Sequence, residues 1–170
     1  MRDMVVLVEL NGACCRSMAR KLRAEHIYCK ILPATATAEE ILAQDPLGVL
    51  LAGGDTGEPA VFPEGCGWTK TGLPLLAMGD AALGLCLALG GSLTPREDTP
   101  RVVQITLSDR HPALFDQVET EERYLAHPRC MVLCEGMEAI VQSPEGVLGL
   151  YQRERKLYGM AFQVEQNDPD

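Results

Sequence analysis

Two adjacent glycines, Gly53 and Gly54, directly follow a short apolar run at residues 47–52. Ligands of open α/β sheets bind at the carboxyl ends of the strands. Glycine lets backbone N–H groups approach a ligand closely, as the oxyanion hole of an acyl-transfer enzyme requires. The same pair is also typical of a tight turn into a flexible loop. The glycines therefore mark a candidate oxyanion loop that needs further support.

A second candidate site is the sequence Gly79-Asp80-Ala81, which follows an apolar run at residues 73–78 and leads into an apolar helix. A strand that enters a buried helix through one sharp turn has the geometry of a nucleophile elbow. The turn residue, Gly79, has no side chain that can react. Asp80 stands at a helix start, where aspartate ordinarily caps the helix and interacts with its dipole, and we expect that role here.

The third candidate site is at the end of the chain, where Gln163 and Glu165 alternate on a predicted strand. Their side chains therefore project to the same side. Glutamine can donate and accept hydrogen bonds but cannot take up a proton at neutral pH. Without a partner motif, the residues indicate only a solvated strand end.

The first half of the chain alternates between strand-like and helical patterns. The predicted strands are residues 4–10, 27–32, 47–52 and 73–78, and the predicted helices are residues 14–25, 37–43 and 80–89. Thr37 and Glu40 form a capping box at the second helix. Residues 55–72, which are rich in glycine and proline, indicate a long surface loop. This order predicts a parallel sheet with helices on both faces.

The second half changes character after Thr94. Short strands separated by turn signals are predicted at residues 102–107, 121–126, 131–134, 139–142, 147–152 and 157–163. Their pattern favours antiparallel additions to the same sheet. We therefore predict one α/β domain over residues 1–170, with three layers and a mostly parallel central sheet. We find no internal repeat and no linker.

Composition narrows the functional class. The chain is 46% apolar and 23% charged, which excludes intrinsic disorder, and its net charge of −9 argues against nucleic acid or an anionic membrane as partner. With no visible secretory signal, the odd number of seven cysteines predicts reduced thiols in the cytoplasm. His127, Cys130 and Cys134 are the one cluster that resembles metal ligands, but on strands they would not share a face. We expect no metal and no cofactor.

Motifs along nearly the whole chain resemble the class I glutamine amidotransferases, and within them the glutaminase domain of GMP synthase. The segments that carry the resemblance are residues 5–8, 18–23, 28–33, 48–54, 72–76, 89–91, His127, 139–143 and 157–162. The stretch from Val5 to Pro33 matches without a gap. The resemblance implies a mostly parallel sheet flanked by helices, in agreement with the pattern above.

The resemblance also implies a chemistry. The family hydrolyses glutamine through a thioester, using a cysteine at the elbow and a histidine and glutamate two residues apart on a late strand, and passes ammonia to a synthetase. In this chain the three positions hold Gly79, Gln163 and Glu165. Gly53 and Gly54 keep the family's turn glycines. The other departures are Ala81 for a glycine, Leu83 for a glutamine and Val164 for a proline.

Three functions remain open on this basis. The first is a catalytically silent pseudoenzyme that acts as a binding or regulatory module, with a small-molecule ligand held by Gly53, Gly54, Asp80 and Ala81. The second is an enzyme with altered chemistry in the same pocket, using Asp80, Glu165 or Cys66. The third is a subunit that pairs with an ATP-using synthetase, or with itself, without supplying ammonia. We favour the first.

Overall fold

The computed structural model describes residues 4–10, 15–54, 56–97, 99–108, 121–125 and 127–162. The strands are β1 (Met4–Glu9), β2 (Tyr28–Pro33), β3 (Gly48–Ala52), β4 (Leu75–Met78), β5 (Ser92–Leu93), β6 (Arg101–Leu107), β7 (Glu121–Leu125), β8 (Met131–Val132), β9 (Glu138–Ser143), β10 (Gly146–Gln152) and β11 (Leu157–Met160). The helices are α1 (Cys15–Ala24), α2 (Ala38–Ala43) and α3 (Asp80–Ala88), with one turn of 3-10 helix at Trp68–Lys70.

The strands form one mixed sheet in the order β2-β1-β3-β4-β11-β10-β9-β6-β7, with β8 pairing β10 and β5 pairing β8. Pairing is parallel from β2 to β11. Beyond β11 it is antiparallel. The predicted architecture of a parallel sheet with antiparallel additions is therefore confirmed. The sequence pattern groups the last strand with those additions, whereas β11 enters the middle of the sheet beside β4.

Helices lie on both faces of the parallel half. One apolar cluster joins α2 and α3 to one face through residues such as Ile41, Leu85 and Val49, all nearly fully buried. The other cluster joins α1 to the opposite face through Met18 and Leu7. Strand side chains alternate between these two clusters, as expected when both faces of a sheet are covered.

Local sequence signals set the helix boundaries. The Thr37 hydroxyl accepts a hydrogen bond from the Glu40 backbone N–H at 3.2 Å, as the capping signature predicts. The apolar segment after Gly79 forms α3, in which every residue from Asp80 to Cys86 is buried. Gly90 follows with a φ of 96°, the left-handed conformation that commonly ends a helix.

The description of residues 55–72 as a surface loop needs correction. Trp68 in this segment is 1% exposed and Ala60 is 3% exposed. The Trp68 indole N–H donates to the Ala36 carbonyl at 2.7 Å, and its ring contacts Phe62 with centroids 5.2 Å apart. The loop therefore forms part of the core on the α2–α3 face, because its few large apolar side chains pack there.

Candidate functional site

One residue, Gly79, connects the buried strand β4 to the buried helix α3. Its φ of 62° and ψ of −132° lie in a region that residues with a side chain rarely adopt. Its backbone N–H donates to the Met160 carbonyl at 2.9 Å, which ties the turn to the carboxyl end of β11. The structure thus has the strand–turn–helix geometry expected here, and the turn residue carries no nucleophile.

The two glycines after β3 lie directly against this turn. Gly53 N–H donates to the Met78 carbonyl at 3.0 Å, and the Gly54 carbonyl accepts from Asp80 N–H at 2.9 Å. A Cβ atom on Gly53 would lie 2.2 Å from the Ala81 nitrogen, so only glycine fits. The contact brings Gly53, Gly54, Asp80 and Ala81 together. The backbone N–H groups of Gly53 and Asp80 are both hydrogen-bonded to carbonyl groups of the protein itself.

The carboxylate of Asp80 lies beneath the loop that follows these glycines. Asp80 is 2% exposed. Its Oδ1 accepts from Thr56 N–H at 3.2 Å and Gly57 N–H at 3.1 Å, and its Oδ2 accepts from Thr56 N–H at 3.1 Å and from the Thr56 hydroxyl at 2.8 Å. Its position in the first turn of α3 also places the negative charge at the favourable end of the helix dipole. Asp80 therefore fixes the loop, and proton transfer at this carboxylate would disrupt these contacts.

Arg129 holds the same loop from the other side. Its Nη1 donates to the Gly57 carbonyl at 2.8 Å, and its Nε donates to the Thr94 carbonyl at 2.7 Å. Sequence reasoning missed Thr56, Gly57 and Arg129. A buried aspartate needs donors, and the Thr-Gly pair just after the double glycine was a nearby source that could have been recognised. Arg129 had no comparable local signal.

None of the described cysteines stands at the turn itself. Cys86 Sγ donates to the Ser92 carbonyl at 3.6 Å, and burial raises the pKa of this thiol to about 11. Cys66 is half-buried beside the start of α2, where its carbonyl accepts from Ala38 N–H at 2.8 Å. Cys86 does not replace a nucleophile at the turn, because its thiol stays protonated and lies about two helical turns away, about 10 Å along the axis.

The cluster of His127, Cys130 and Cys134 does not converge. Cys130 is buried, which raises the pKa of its thiol, while Cys134 Sγ donates to the Leu89 carbonyl at 3.3 Å. Within the described parts of the chain, no three or more His, Cys, Asp or Glu side chains are grouped to hold a metal ion. Gln163 and Glu165 lie outside the described residues.

In sequence, the chain is similar to glutamine-hydrolysing GMP synthases. No protein-family model matches the chain. It is 25% identical over 175 residues to the glutamine-hydrolysing GMP synthase of Clostridium novyi, covering 96% of the chain and 33% of that protein. It is 28% identical over 190 residues to the corresponding protein of Clostridium perfringens, covering 97% of the chain and 33% of that protein.

Solved structures share the fold. A protein from Thermoplasma acidophilum that is named as a GMP synthase subunit superposes with a TM-score of 0.71 at 17% identity, over 96% of this chain and 84% of that one. A glutamine amidotransferase from Thermotoga maritima gives a TM-score of 0.67 at 15% identity, over 97% and 77%.

The chain is thus similar in sequence to the glutaminase region of GMP synthases and shares the fold of glutamine amidotransferases. It spans about a third of the length of the curated relatives it matches, 33% in both proteins above. Among its described residues, no helix is both long enough and apolar enough to cross a membrane.

Proposed function

We propose that this glutaminase-like domain is a pseudoenzyme that does not hydrolyse glutamine and acts as a binding or regulatory module. One observation carries the proposal. The turn between β4 and α3 keeps a backbone conformation that presents a nucleophile in hydrolases, but the residue there is Gly79, with φ of 62°. The scaffold of the site is retained while the reacting atom is missing.

The position of the other family residues supports the same proposal. By sequence, Gln163 stands where the family has its histidine, and Glu165 stands at the glutamate position. Without a thiolate no acyl-enzyme forms, and without an imidazole nothing activates a thiol or protonates the departing ammonia. A lone carboxylate leaves neither step possible.

The backbone around the turn supports it as well. An oxyanion hole needs N–H groups that point at the developing charge without competing partners. Here the Asp80 N–H donates to the Gly54 carbonyl and the Gly53 N–H donates to the Met78 carbonyl. An acyl intermediate would have to displace these internal hydrogen bonds before it was stabilised.

Altered chemistry through Asp80, Glu165 or Cys66 is the first alternative. The contacts of Asp80 oppose its use as acid, base or nucleophile, since its two oxygens already accept from Thr56 and Gly57. The test is hydrolysis of glutamine and γ-glutamyl esters by the unaltered protein, by Asp80→Asn and by Glu165→Gln. Turnover that either substitution abolishes would establish this alternative and refute the silent domain.

A second candidate function is the partner subunit of an ATP-dependent, GMP-synthase-like synthetase. The matched relatives are named as glutamine-hydrolysing GMP synthases, and the chain matches only 33% of their length. A structural neighbour is PurLQS from Thermotoga maritima, with a TM-score of 0.67 at 12% identity. The test is to mix the domain with the remaining two thirds of the Clostridium novyi relative and measure binding by sedimentation and the rate of synthesis with ammonia. The absence of both binding and a change in rate would reject this partner.

The ligand-binding part of the proposal has its own experiment. Thermal unfolding is measured with glutamine, nucleotides and ammonium. A reproducible rise in the melting temperature with glutamine, which increases with its concentration, would support a ligand at this site. No rise with any of the three would exclude them as ligands there.

A further inference from the structure

Three basic side chains line one small cavity beside the amino ends of β4 and β11. The cavity has a volume of about 280 Å³, and its lining residues are Thr69, Lys70, Gly72, Glu154, Arg155 and Lys156. The three cations outnumber the one carboxylate. The cavity therefore has an excess of positive charge, although the whole chain has a net charge of −9.

This cavity lies at the opposite end of β4 from the turn at Gly79. The first residue of β4 is Leu75, whose backbone N–H donates to the Lys156 carbonyl at 3.0 Å. Gly79 follows the last residue of the same strand. A strand of four residues is about 10 Å long, so the cavity is separate from the candidate glutamine site.

The three cations of the cavity have no carboxylate partner within the parts of the chain that the structure describes. The nearby Arg153, in contrast, pairs with Glu138 at 3.3 Å. Carboxylates are abundant in the chain, which has 24 Asp and Glu against 15 Lys and Arg. Unpaired like charges that share a cavity repel one another, and an anion bound between them removes that repulsion.

Both walls of the cavity are held in place by the fold. Lys70 ends the turn of 3-10 helix that starts at Trp68, and Trp68 is 1% exposed and packs in the core. Arg155 and Lys156 belong to the tight connection between β10 and β11, where the Lys156 N–H donates to the Arg153 carbonyl at 3.3 Å. A site whose backbone is fixed in advance loses less entropy when a ligand binds.

The backbone at Lys156 has a φ of 57°, a left-handed conformation that residues with a side chain rarely adopt. Glycine adopts it without a steric penalty. The Lys156 side chain is exposed, so packing does not explain why lysine stands at this position. Binding of an anion by its ammonium group supplies a reason.

The chemistry of the lining suits a small organic phosphate. A guanidinium donates two parallel hydrogen bonds to phosphate oxygens, and an ammonium adds a compact positive charge. The Glu154 carboxylate opposes a bare anion, but it can accept a hydrogen bond from a ligand hydroxyl. The volume of about 280 Å³ is close to the lower end of the range for small-molecule pockets, so the cavity favours a small ligand over a protein segment.

We propose that this cavity binds a sugar phosphate. Its phosphate group lies between Lys70, Arg155 and Lys156, and one of its hydroxyl groups donates to Glu154. The inference goes beyond the proposed loss of glutamine hydrolysis and does not depend on it. Its test uses no glutamine, so the two proposals can fail separately.

The probe is ribose 5-phosphate, and its binding to the unaltered protein is measured by isothermal titration calorimetry in a low-salt buffer without phosphate. Ribose and inorganic phosphate, at the same ionic strength, are the matched ligands, since each carries one part of the probe. We expect ribose 5-phosphate to bind more tightly than about 1 mM and at least about tenfold more tightly than inorganic phosphate. Ribose should show no measurable binding.

Two substitutions in the same turn locate the phosphate. Arg155→Gln removes a phosphate donor, and Arg153→Gln is its matched control, because Arg153 is also exposed but does not line the cavity. Loss of a charge-assisted contact should weaken the binding of ribose 5-phosphate about tenfold in Arg155→Gln. Arg153→Gln should leave the affinity within about twofold, because only a distant charge is lost.

Lys156→Gly separates ligand binding from folding. Glycine adopts a φ of 57° without strain, so the melting temperature of the free protein should be unchanged or higher. The affinity for ribose 5-phosphate should nevertheless fall about tenfold. A purely structural role of Lys156 predicts the reverse, a lower melting temperature with unchanged affinity.

Four results would overturn the proposal. They are no binding of ribose 5-phosphate tighter than about 1 mM, equal affinity for inorganic phosphate, equal losses in Arg155→Gln and Arg153→Gln, and unchanged affinity in Lys156→Gly. Polyglutamate supplies a fifth. If it binds more tightly than ribose 5-phosphate and Arg155→Gln weakens that binding, the basic residues form a docking surface for an acidic protein instead.

Discussion

The backbone N–H of Asp80 donates to the carbonyl oxygen of Gly54 across 2.9 Å. This hydrogen bond joins the residue after the strand–helix turn to the double glycine after the neighbouring strand. In a glutaminase with an oxyanion hole between these segments, a donor of this kind must be available to the substrate. In this domain the same donor stabilises the fold.

Replacement of Gly53 by alanine should severely destabilise the domain. The new Cβ would lie 2.2 Å from the Ala81 nitrogen and 2.8 Å from the Met78 carbonyl oxygen, which are backbone atoms of β4 and α3 and cannot move cheaply. We expect a loss of about 3 kcal/mol or more in the free energy of unfolding, measured in urea.

Gly65→Ala is the control for this substitution. Gly65 has a φ of 73°, but no heavy atom lies within 4 Å of its added Cβ. It should cost only about 1–2 kcal/mol, the strain of a left-handed backbone. Equal losses in the two variants would show that close approach at Gly53 is unimportant.

Asp80→Asn should loosen the loop that follows the double glycine. An asparagine keeps one acceptor oxygen and turns an NH₂ group towards the Thr56 and Gly57 donors, so buried N–H groups lose their partner. We expect a loss of about 2–3 kcal/mol and faster proteolysis within the loop. Glu58→Gln, which removes the exposed pair with Arg96, should change stability by less than about 1 kcal/mol. An Asp80→Asn protein as stable as the unaltered one would refute the role of Asp80 in holding the loop.

These contacts show what could be predicted from the sequence. The turn at Gly79 was predictable because an apolar run, a Gly-Asp pair and a second apolar run follow one another locally. The partners of Asp80 were not, because Thr56 and Gly57 lie more than twenty residues earlier and the contact forms only when the strands align. The placement of β11 beside β4 was missed for the same reason.

The buried loop and the partly exposed face of β3 and β4 show a second limit. Trp68 lies in a segment rich in glycine and proline, and only its distant acceptor, the carbonyl of Ala36, explains its burial. Leu50 and Leu76 look like ordinary core residues in the sequence. That their face is partly open follows from how far α1 extends across the sheet, which no local pattern encodes.

The stability of the domain should fall between pH 9 and about 11, in part because of Cys86. Burial raises the pKa of this thiol from 9.0 to about 11, so the unfolded chain ionises first and is stabilised as the pH rises. The stabilisation due to the buried neutral thiol is fully present below pH 9 and is lost by about pH 11. The loss lowers the free energy of unfolding by about 2–3 kcal/mol. The free energy of unfolding of Cys86→Ala, measured in urea, should fall less steeply with pH over this range. An identical pH dependence in the two proteins would contradict the raised pKa of Cys86.

Gly79→Cys combined with Gln163→His restores the residue types of the family triad beside Glu165. The new thiol at the start of α3 should react quickly with iodoacetamide, because the helix dipole lowers its pKa. The backbone at φ 62° costs a cysteine roughly 1–3 kcal/mol. Since the Gly53 and Asp80 donors remain engaged, we expect glutaminase activity to be weak or absent.

The matched control is Gly79→Ser with Gln163→His, which carries the same strain but no thiol. Labelling is located by mass spectrometry of the peptide that contains residue 79. A folded Gly79→Cys, Gln163→His protein whose introduced thiol is no more reactive than Cys86 would show that the turn does not present its side chain to a reactant. The assignment of Gly79 to the nucleophile position would then be wrong.

The most direct test of the central claim is the rate at which the unaltered domain releases ammonia from glutamine. The account predicts no release above that of a heat-denatured sample, since the turn at Gly79 offers no nucleophile and its neighbouring N–H groups are engaged. Adding the synthetase portion of the Clostridium novyi relative should not change this result. Ammonia release that is proportional to the concentration of the domain and persists after repeated purification would contradict the claim that this domain is silent.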